Sequence, residues 1–357
     1  MYRQLISHNF WSGRKVLITG HTGFKGGWLS YWLSTLGADL VGVSIPTSSS
    51  PSLISTYCLP NNMRTYNCDI RNFEDFNLIV NQERPEIVFH LAAQPIVSQS
   101  YDDPLHTIST NVMGTSVVFE AIRQSKTTKT IINVTSDKVY YNDESGRAFQ
   151  EEDKLSGKDP YSGSKSCADI IASSFSHSFL IEQGISVYNA RAGNVIGGGD
   201  IAVNRLIPDL FRSYSAKKQL VIRNPGAVRP WQHVLEPIAG YIALAQRGYN
   251  NPTPEFDSFN FGPSPKDHWS VKQIVEYFSD RLKIDIDFQE NKNNIIKESN
   301  LLNLNINKAQ SQLGWKPVFE LATALDLTWI WYEEALNYTS ASAVTDRQIN
   351  LYTELLC

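Results

Sequence analysis

Residues 15–37 read "KVLITGHTGFKGGWLSYWLSTLG". An apolar run ends at Gly20, glycines recur at Gly23 and Gly26, and a helical pattern then runs to Gly37. Glycines between a strand and a helix let the backbone turn sharply and approach a pyrophosphate, whose charge faces the amides at the helix N-terminus. A tight turn with no ligand would read the same way, so the loop alone is weak evidence. The pattern beyond residue 37 carries the weight.

There, short apolar runs alternate with helical patterns. "DLVGVSI", "TYNCDI", "EIVFHLAA" and "KTIINVTS" read as strands, and "ISVYNARAGNVIG" and "FDSFNFG" as later ones. "NFEDFNLIVNQERP" reads as a helix stopped by Pro85, and "TNVMGTSVVFEAIRQS" as another. Strands buried on both faces are continuously apolar, and their alternation with helices predicts an α/β fold with a doubly wound, Rossmann-like parallel sheet. Beyond about residue 196 the pattern loosens. "IPDLFRSYSAKK", "SVKQIVEYFSDRL" and "INKAQSQLGW" read as amphipathic helices of a smaller, discontinuous α/β substrate-binding cap, while "WQHVLEPIAGYIALAQ" returns to the sheet. The expected division is residues 1–195 with 230–263 for the dinucleotide-binding domain, 196–229 and 264–337 for the cap, and 338–357 for a C-terminal tail. "TSSSPS" (47–52) reads as a loop.

Bulk properties exclude several classes. The 357 residues are 42% hydrophobic and 19% charged, with a formal net charge of −4 and no basic stripe, so nucleic acid is not expected as a partner. Cys58, Cys68, Cys167 and Cys357 form no metal-binding spacing, and no metal site is expected. No apolar run is long enough to cross a bilayer, and no secretory leader is read, so a cytoplasmic protein with reduced thiols is the expectation.

Dinucleotide sites usually place an acid at the end of the second strand, about 20 residues on, to grip ribose hydroxyls. Here Ser44 stands there, and Asp39 lies at the strand's other end. Spacing therefore leaves NAD and NADP open. Asp69 ends the third strand and reads either as an adenine contact or as a cap for the following helix. "YSGSK" sets Tyr161 and Lys165 on one helical face. A phenol, with an ordinary pKa of about 10, needs its phenolate favoured to act as a base. A lysine ammonium and a positive nicotinamide would do this, so a lowered Tyr161 pKa is expected. Ser136 ends the preceding strand.

Together, "TGHTGFKGGWLSYWL", "FHLAAQPIVSQSYDDP", "TNVMGT", "VTSDKVY", "PYSGSKSCAD", "ARAGNVIGGGD", "RPWQHVLEPIAGY" and "LGWKP" resemble the extended short-chain dehydrogenase/reductases. Within them the likeness is to the sugar-nucleotide 4,6-dehydratases, with CDP-glucose the favoured substrate and NAD the cofactor. It runs from about residue 10 to 335. The resemblance implies cofactor contacts at Gly20, Thr22, Gly23, Phe24, Lys25, Gly26, Asp69, Ile70, Leu91, Ala92, Ala93, Asn111, Tyr161 and Lys165. It implies substrate contacts at Gln94, Asn194 and Arg229, with Arg205 and Arg223 weaker candidates. It also implies a homodimer through helices around 105–125 and 161–182.

It further explains a carboxylate and an amine side by side after a buried strand. A 4,6-dehydratase must remove water across C5 and C6, which takes an acid and a base beyond Ser136, Tyr161 and Lys165. The resemblance assigns these to Asp137 and Lys138. Tyr161 takes the C4 hydroxyl proton as hydride leaves; the C4 ketone acidifies C5, where Lys138 removes a proton while Asp137 protonates the C6 oxygen. As a base Lys138 must be neutral, with burial and Lys165 pushing that way and Asp137 opposing. An epimerase, a dehydratase of dTDP- or GDP-sugars, and a non-catalytic dinucleotide-binding regulator are the rival readings. The tail after residue 338 has no mechanistic reading and is expected to pack against a neighbour. Trp231 and His233 read as packing, and Asn305 departs from the aspartate common in relatives.

Overall fold

The computed structural model describes residues 5–46, 52–222, 224–289, 302–337 and 340–356. Arg223, Cys357 and most of the serine loop lie outside them. Seven strands form one parallel sheet: β1 (Lys15–Thr19), β2 (Asp39–Ser44), β3 (Arg64–Asn67), β4 (Ile87–His90), β5 (Thr130–Val134), β6 (Ser186–Ala192) and β7 (Phe256–Phe261). Their order is β7-β6-β5-β4-β1-β2-β3, with every pair parallel. Strand order reverses between β1 and β4, the switch point where such sheets open a ligand crevice at their carboxyl ends.

The strands are apolar throughout because both faces are covered. Val16 and Ile18 join one hydrophobic core, and Leu17 between them joins the other. α1 (Phe24–Thr35) buries Trp28 and Trp32 in the first core. α2 (Phe73–Glu83) and α3 (Gly114–Gln124) bury Phe76 and Phe119 in the second, where α4 (Pro160–Phe175) adds Ala172. α5 (Leu235–Asn250) returns to the first core with a face that includes Leu235, Ile238, Ile242 and Leu244. α2 ends at Glu83 with Arg84 left-handed (φ 52°), one residue before Pro85.

Three local features depart from the sequence reading. Ser109–Met113 form a π-helical turn ahead of α3. It buries Asn111, a placement in keeping with the tendency of such turns to accompany functional sites. "INKAQSQLGW" yields only a short turn with a π segment at Ala309–Leu313, closed by left-handed Gly314. The tail is helical and packs on its own chain: α6 (Leu321–Asn337) is followed by α7 (Ala341–Leu356). Tyr352 is fully buried against Trp32 and Phe319, and the Trp331 indole donates to Thr345 at 2.9 Å.

In the later segments, Leu220–Ile222 pairs in parallel with Ile286–Phe288. A helix at Leu206–Ala216 stacks Phe211 on Tyr332 of α6. Among the described residues, no helix is long and apolar enough to cross a membrane and no cluster of ligating side chains could hold a metal ion.

Candidate active site

Gly20 and Gly26 set the geometry of the loop between β1 and α1. Gly20 has φ +76°, and a Cβ there would lie 2.8 Å from the Ala92 amide nitrogen. A Cβ on Gly26 would lie 2.1 Å from the Gly20 carbonyl oxygen. Only glycine lets β1, β4 and α1 meet this closely. Gly23, exposed at the start of α1, provides no capping side chain, so the first helical amides take no side-chain cap. Leu91 and Ala92 donate backbone N–H bonds to the Thr19 hydroxyl at 3.1 and 3.2 Å, fixing the turn after β4; Ala93 follows half-buried.

At the carboxyl end of β5 the reactive side chains converge. Ser136 is 6% exposed, Asp137 3%, Tyr161 9% and Lys165 7%. The Ser136 hydroxyl donates to Asp137 Oδ1 at 2.9 Å, accepts the Lys138 amide at 3.2 Å and lies within hydrogen-bonding reach of the Tyr161 phenol. Asp137 Oδ2 lies over Gly193, where a Cβ would come within 2.8 Å. The Lys165 ammonium donates to the Val134 carbonyl at 3.2 Å. α4 begins under an Asp159 cap that accepts from the Ser162 amide at 2.9 Å, with Pro160 at its first position, so Tyr161 enters on a fixed first turn.

Burial dominates the electrostatics. It pushes the Asp137 carboxyl up, against the opposing pull of Lys138, Ser136, Lys25 and Arg229, leaving an acid inclined to keep its proton. It pushes Lys165 down to about 8, offset by Asp169. Lys25, partly covered at the start of α1, is pushed down to about 7 by burial and then by Arg205, with Asp137 opposing and Lys165 adding to the shift. The expected lowering at Tyr161 is not met in the protein itself: burial pushes the phenol up to about 12, with Asp137 and Asp159 adding to it and Ser136 and Arg205 opposing. Ionising it requires further positive charge.

Arg205 pairs with Asp200 at 2.9 Å and still acts on Tyr161 and Lys25; Arg229 donates to the Val228 carbonyl at 3.1 Å while acting on Asp137. The Asn194 carbonyl accepts the Gln232 amide at 3.0 Å beside the short pairing of Val195–Ile196 with Gln232–His233. Gln94, expected to contact substrate, is buried. Its side chain turns inward, donating to Thr107 at 2.8 Å and accepting from the Ile96 amide at 2.6 Å. Asn111 holds that loop from below, accepting from the Gln94 amide at 2.8 Å and donating to Ser164 of α4 at 2.9 Å. Phe24 is buried, and the Thr22 carbonyl accepts from Ser55 at 2.7 Å.

The remaining expected residues lie away from this cluster. Asp69 is gripped by Arg71 and takes the Arg71 amide at 2.9 Å, while α2 is capped by Asn72. Asp69 is therefore not the helix cap. Ile70 packs beneath Gly114. His233 and Trp231 are buried, His233 against Trp28 and Phe319.

Sequence reasoning missed Asp169, Arg191, Thr135 and Gly193. Arg191 offered a signal, because it is a lone charge inside the otherwise buried run "SVYNARAG".

The sequence model of the family described as GDP-mannose 4,6 dehydratase matches residues 17–328. The chain belongs to this family. Among curated relatives it is 41% identical over 353 residues to the CDP-glucose 4,6-dehydratase of Salmonella typhimurium, covering 98% of both chains. It is 24% identical over 348 residues to the CDP-paratose 2-epimerase of Salmonella typhi, covering 89% of this chain and 98% of that one. Its fold is that of an epimerase from Methanothermobacter thermautotrophicus, with a TM-score of 0.82 and 23% identity over 94% and 97% of the two chains. It is likewise that of dTDP-glucose 4,6-dehydratase from Bacillus anthracis in complex with NAD, with a TM-score of 0.76 and 22% identity over 92% and 100%. The seven-stranded parallel sheet flanked by helices matches the fold of these dehydratase and epimerase structures.

Proposed function

We propose that the chain is a hydro-lyase converting CDP-glucose to CDP-4-keto-6-deoxyglucose with NAD. The observation that carries this reading is likeness over 98% of both chains to a CDP-glucose 4,6-dehydratase, joined to Asp137 and Lys138 beside Ser136 and Tyr161. The uncapped start of α1 and the exposed backbone at Gly23 suit a diphosphate, so the residues present fit a dinucleotide. Gly20, Thr22, Gly23, Phe24, Lys25, Gly26, Leu91, Ala92 and Ala93 would hold it, with Asp69 and Ile70 at its adenosine end. When bound, NAD supplies the hydride acceptor at C4 and the donor at C6.

Tyr161 takes the proton from the C4 hydroxyl, and Ser136 orients both that phenol and Asp137. The elevated Asp137 carboxyl then delivers its proton to the departing C6 oxygen. Lys138, half-buried with its amide on the Ser136 hydroxyl, takes the C5 proton. Arg229 and Arg205 meet the nucleotide diphosphate, a task suited to guanidinium, and Asn194 adds a polar contact. Residues 196–229 and 264–337 would serve as the substrate cap. Exposed Leu105, Ile108 and Ile170 favour a homodimer across the helices around 105–125 and 161–182.

The test is incubation with CDP-, dTDP-, UDP- and GDP-glucose plus NAD in deuterated water. A 4-keto-6-deoxy product bearing deuterium at C5, formed fastest from the CDP-sugar, is expected. A product retaining its C6 hydroxyl would make the protein an epimerase instead.

A further inference from the structure

Behind the reactive cluster lies a buried ion pair that the reaction scheme does not use. Asp169 follows Lys165 by one turn of α4 on the same face. Its carboxylate accepts from Arg191 Nη2 at 2.6 Å, Asn189 at 2.7 Å, Arg191 Nε at 2.9 Å and Thr135 at 3.0 Å. Arg191 also donates to Tyr140 at 2.8 Å, to the Glu151 carbonyl at 2.7 Å and to Ser258 at 3.1 Å. The side chains of the pair are 3% and 2% exposed.

Burying two charges this completely is a poor route to stability, since apolar residues of similar volume do as well or better. What the pair does is join specific places. Thr135 immediately precedes Ser136, Tyr140 closes the short turn after Lys138, and Asp169 lies on the helix that carries Tyr161 and Lys165. The two segments whose relative position the chemistry needs are thus fastened to one carboxylate–guanidinium centre. Burial disfavours the Lys165 ammonium, and Asp169 is the charge that counters it; Lys165 in turn acts on Lys25 and His90.

We propose that Asp169 and Arg191 are positioning residues of this reaction, keeping Ser136–Lys138 in register with Tyr161 and keeping the Lys165 ammonium beside a compensating charge. The proposal rests on the roles given above to Tyr161 and Lys165. Asp169→Asn removes the countercharge with little change in shape, so the ammonium is lost at lower pH. The alkaline limb of the pH profile for C4 oxidation, followed by single-turnover reduction of NAD, should move down by about one unit. A merely structural pair would lower thermal stability and leave the limb where it was.

Arg191→Lys keeps the charge but cannot span Tyr140, Glu151 and Ser258 together. Its limb should stay in place while kcat falls by about tenfold to a hundredfold with KM little changed. An unshifted limb in Asp169→Asn overturns the proposal. If that variant does not fold, Arg191→Lys decides alone, and wild-type kcat in it overturns the proposal. An unmutated enzyme inert toward CDP-glucose and NAD defeats the functional reading and this inference with it. An active one whose variants behave as wild type defeats the inference only.

Discussion

The two ends of the groove are built differently. At β5 and β6, Ser136, Asp137, Tyr161 and Lys165 are all nearly buried, and Asp169 and Arg191 fasten the segments that carry them. At β2 and β3 the groove is plain. Ser44 bonds the His21 ring at 3.0 Å and the Thr22 amide at 3.4 Å. Asp39, at the opposite end of β2, is engaged by Arg64 at 2.7 Å, and Asp69 after β3 by Arg71. Proton transfer tolerates little misplacement, and the charges it uses are held by several elements at once. Gripping a ribose is less exacting, and here that end provides a hydroxyl, a histidine and backbone groups.

The sharpest way to break this contrast is at the phenol. Tyr161→Phe should reduce C4 oxidation by roughly 10²–10⁴-fold, read as the rate at which reduced nicotinamide appears in a single turnover. A rate within a few-fold of wild type would move the base elsewhere. Asp137→Asn separates the steps. Reduced cofactor should still form, but water loss should slow by about 10²-fold, so that the 4-ketoglucose intermediate accumulates. Equal slowing of both steps would instead mark Asp137 as structural.

The plain end is sharpened by adding what it lacks. Ser44→Asp should tighten NAD roughly tenfold and weaken NADP, measured by titration calorimetry. Unaltered affinity would mean that the ribose does not reach β2.

The smallest effect lies away from the groove. Glu236, buried on α5, accepts from the Phe319 amide at 2.7 Å, the Val318 amide at 3.0 Å and the Tyr352 hydroxyl at 2.7 Å, and burial pushes it up to about 7. A carboxyl raised in the folded state contributes stability that is full below its ordinary range and fades as pH rises toward 7. Glu236→Gln should flatten that slope in denaturant melts, and Tyr352→Phe should cost about 1 kcal/mol with turnover unchanged.

Much of this was legible in the sequence. The strands announced themselves because both sheet faces are covered, which makes them apolar throughout. Ser136, Tyr161 and Lys165 stood at spacings whose chemistry is local. What could not be read depended on distant partners. Tyr161 is raised rather than lowered because burial is tertiary. Gln94 turns inward because Thr107 and Asn111 meet it there. α7 gave no signal because the groups that claim it, Glu236 and Trp331, lie on other helices. Asn72 rather than Asp69 caps α2, a choice between neighbours that spacing alone does not make.

The widened turn at Ser109–Met113 has a consequence for tolerance to deletion. One surplus residue in a helix rotates everything on one side of it by about 100° relative to the other. Removing Val112 or Met113 would restore ordinary winding, yet it would swing Asn111 away from Ser164 or carry Gly114 off Ile70. The turn is a phase adjuster, and shortening this helix by one residue should harm the enzyme more than substituting any exposed residue along it.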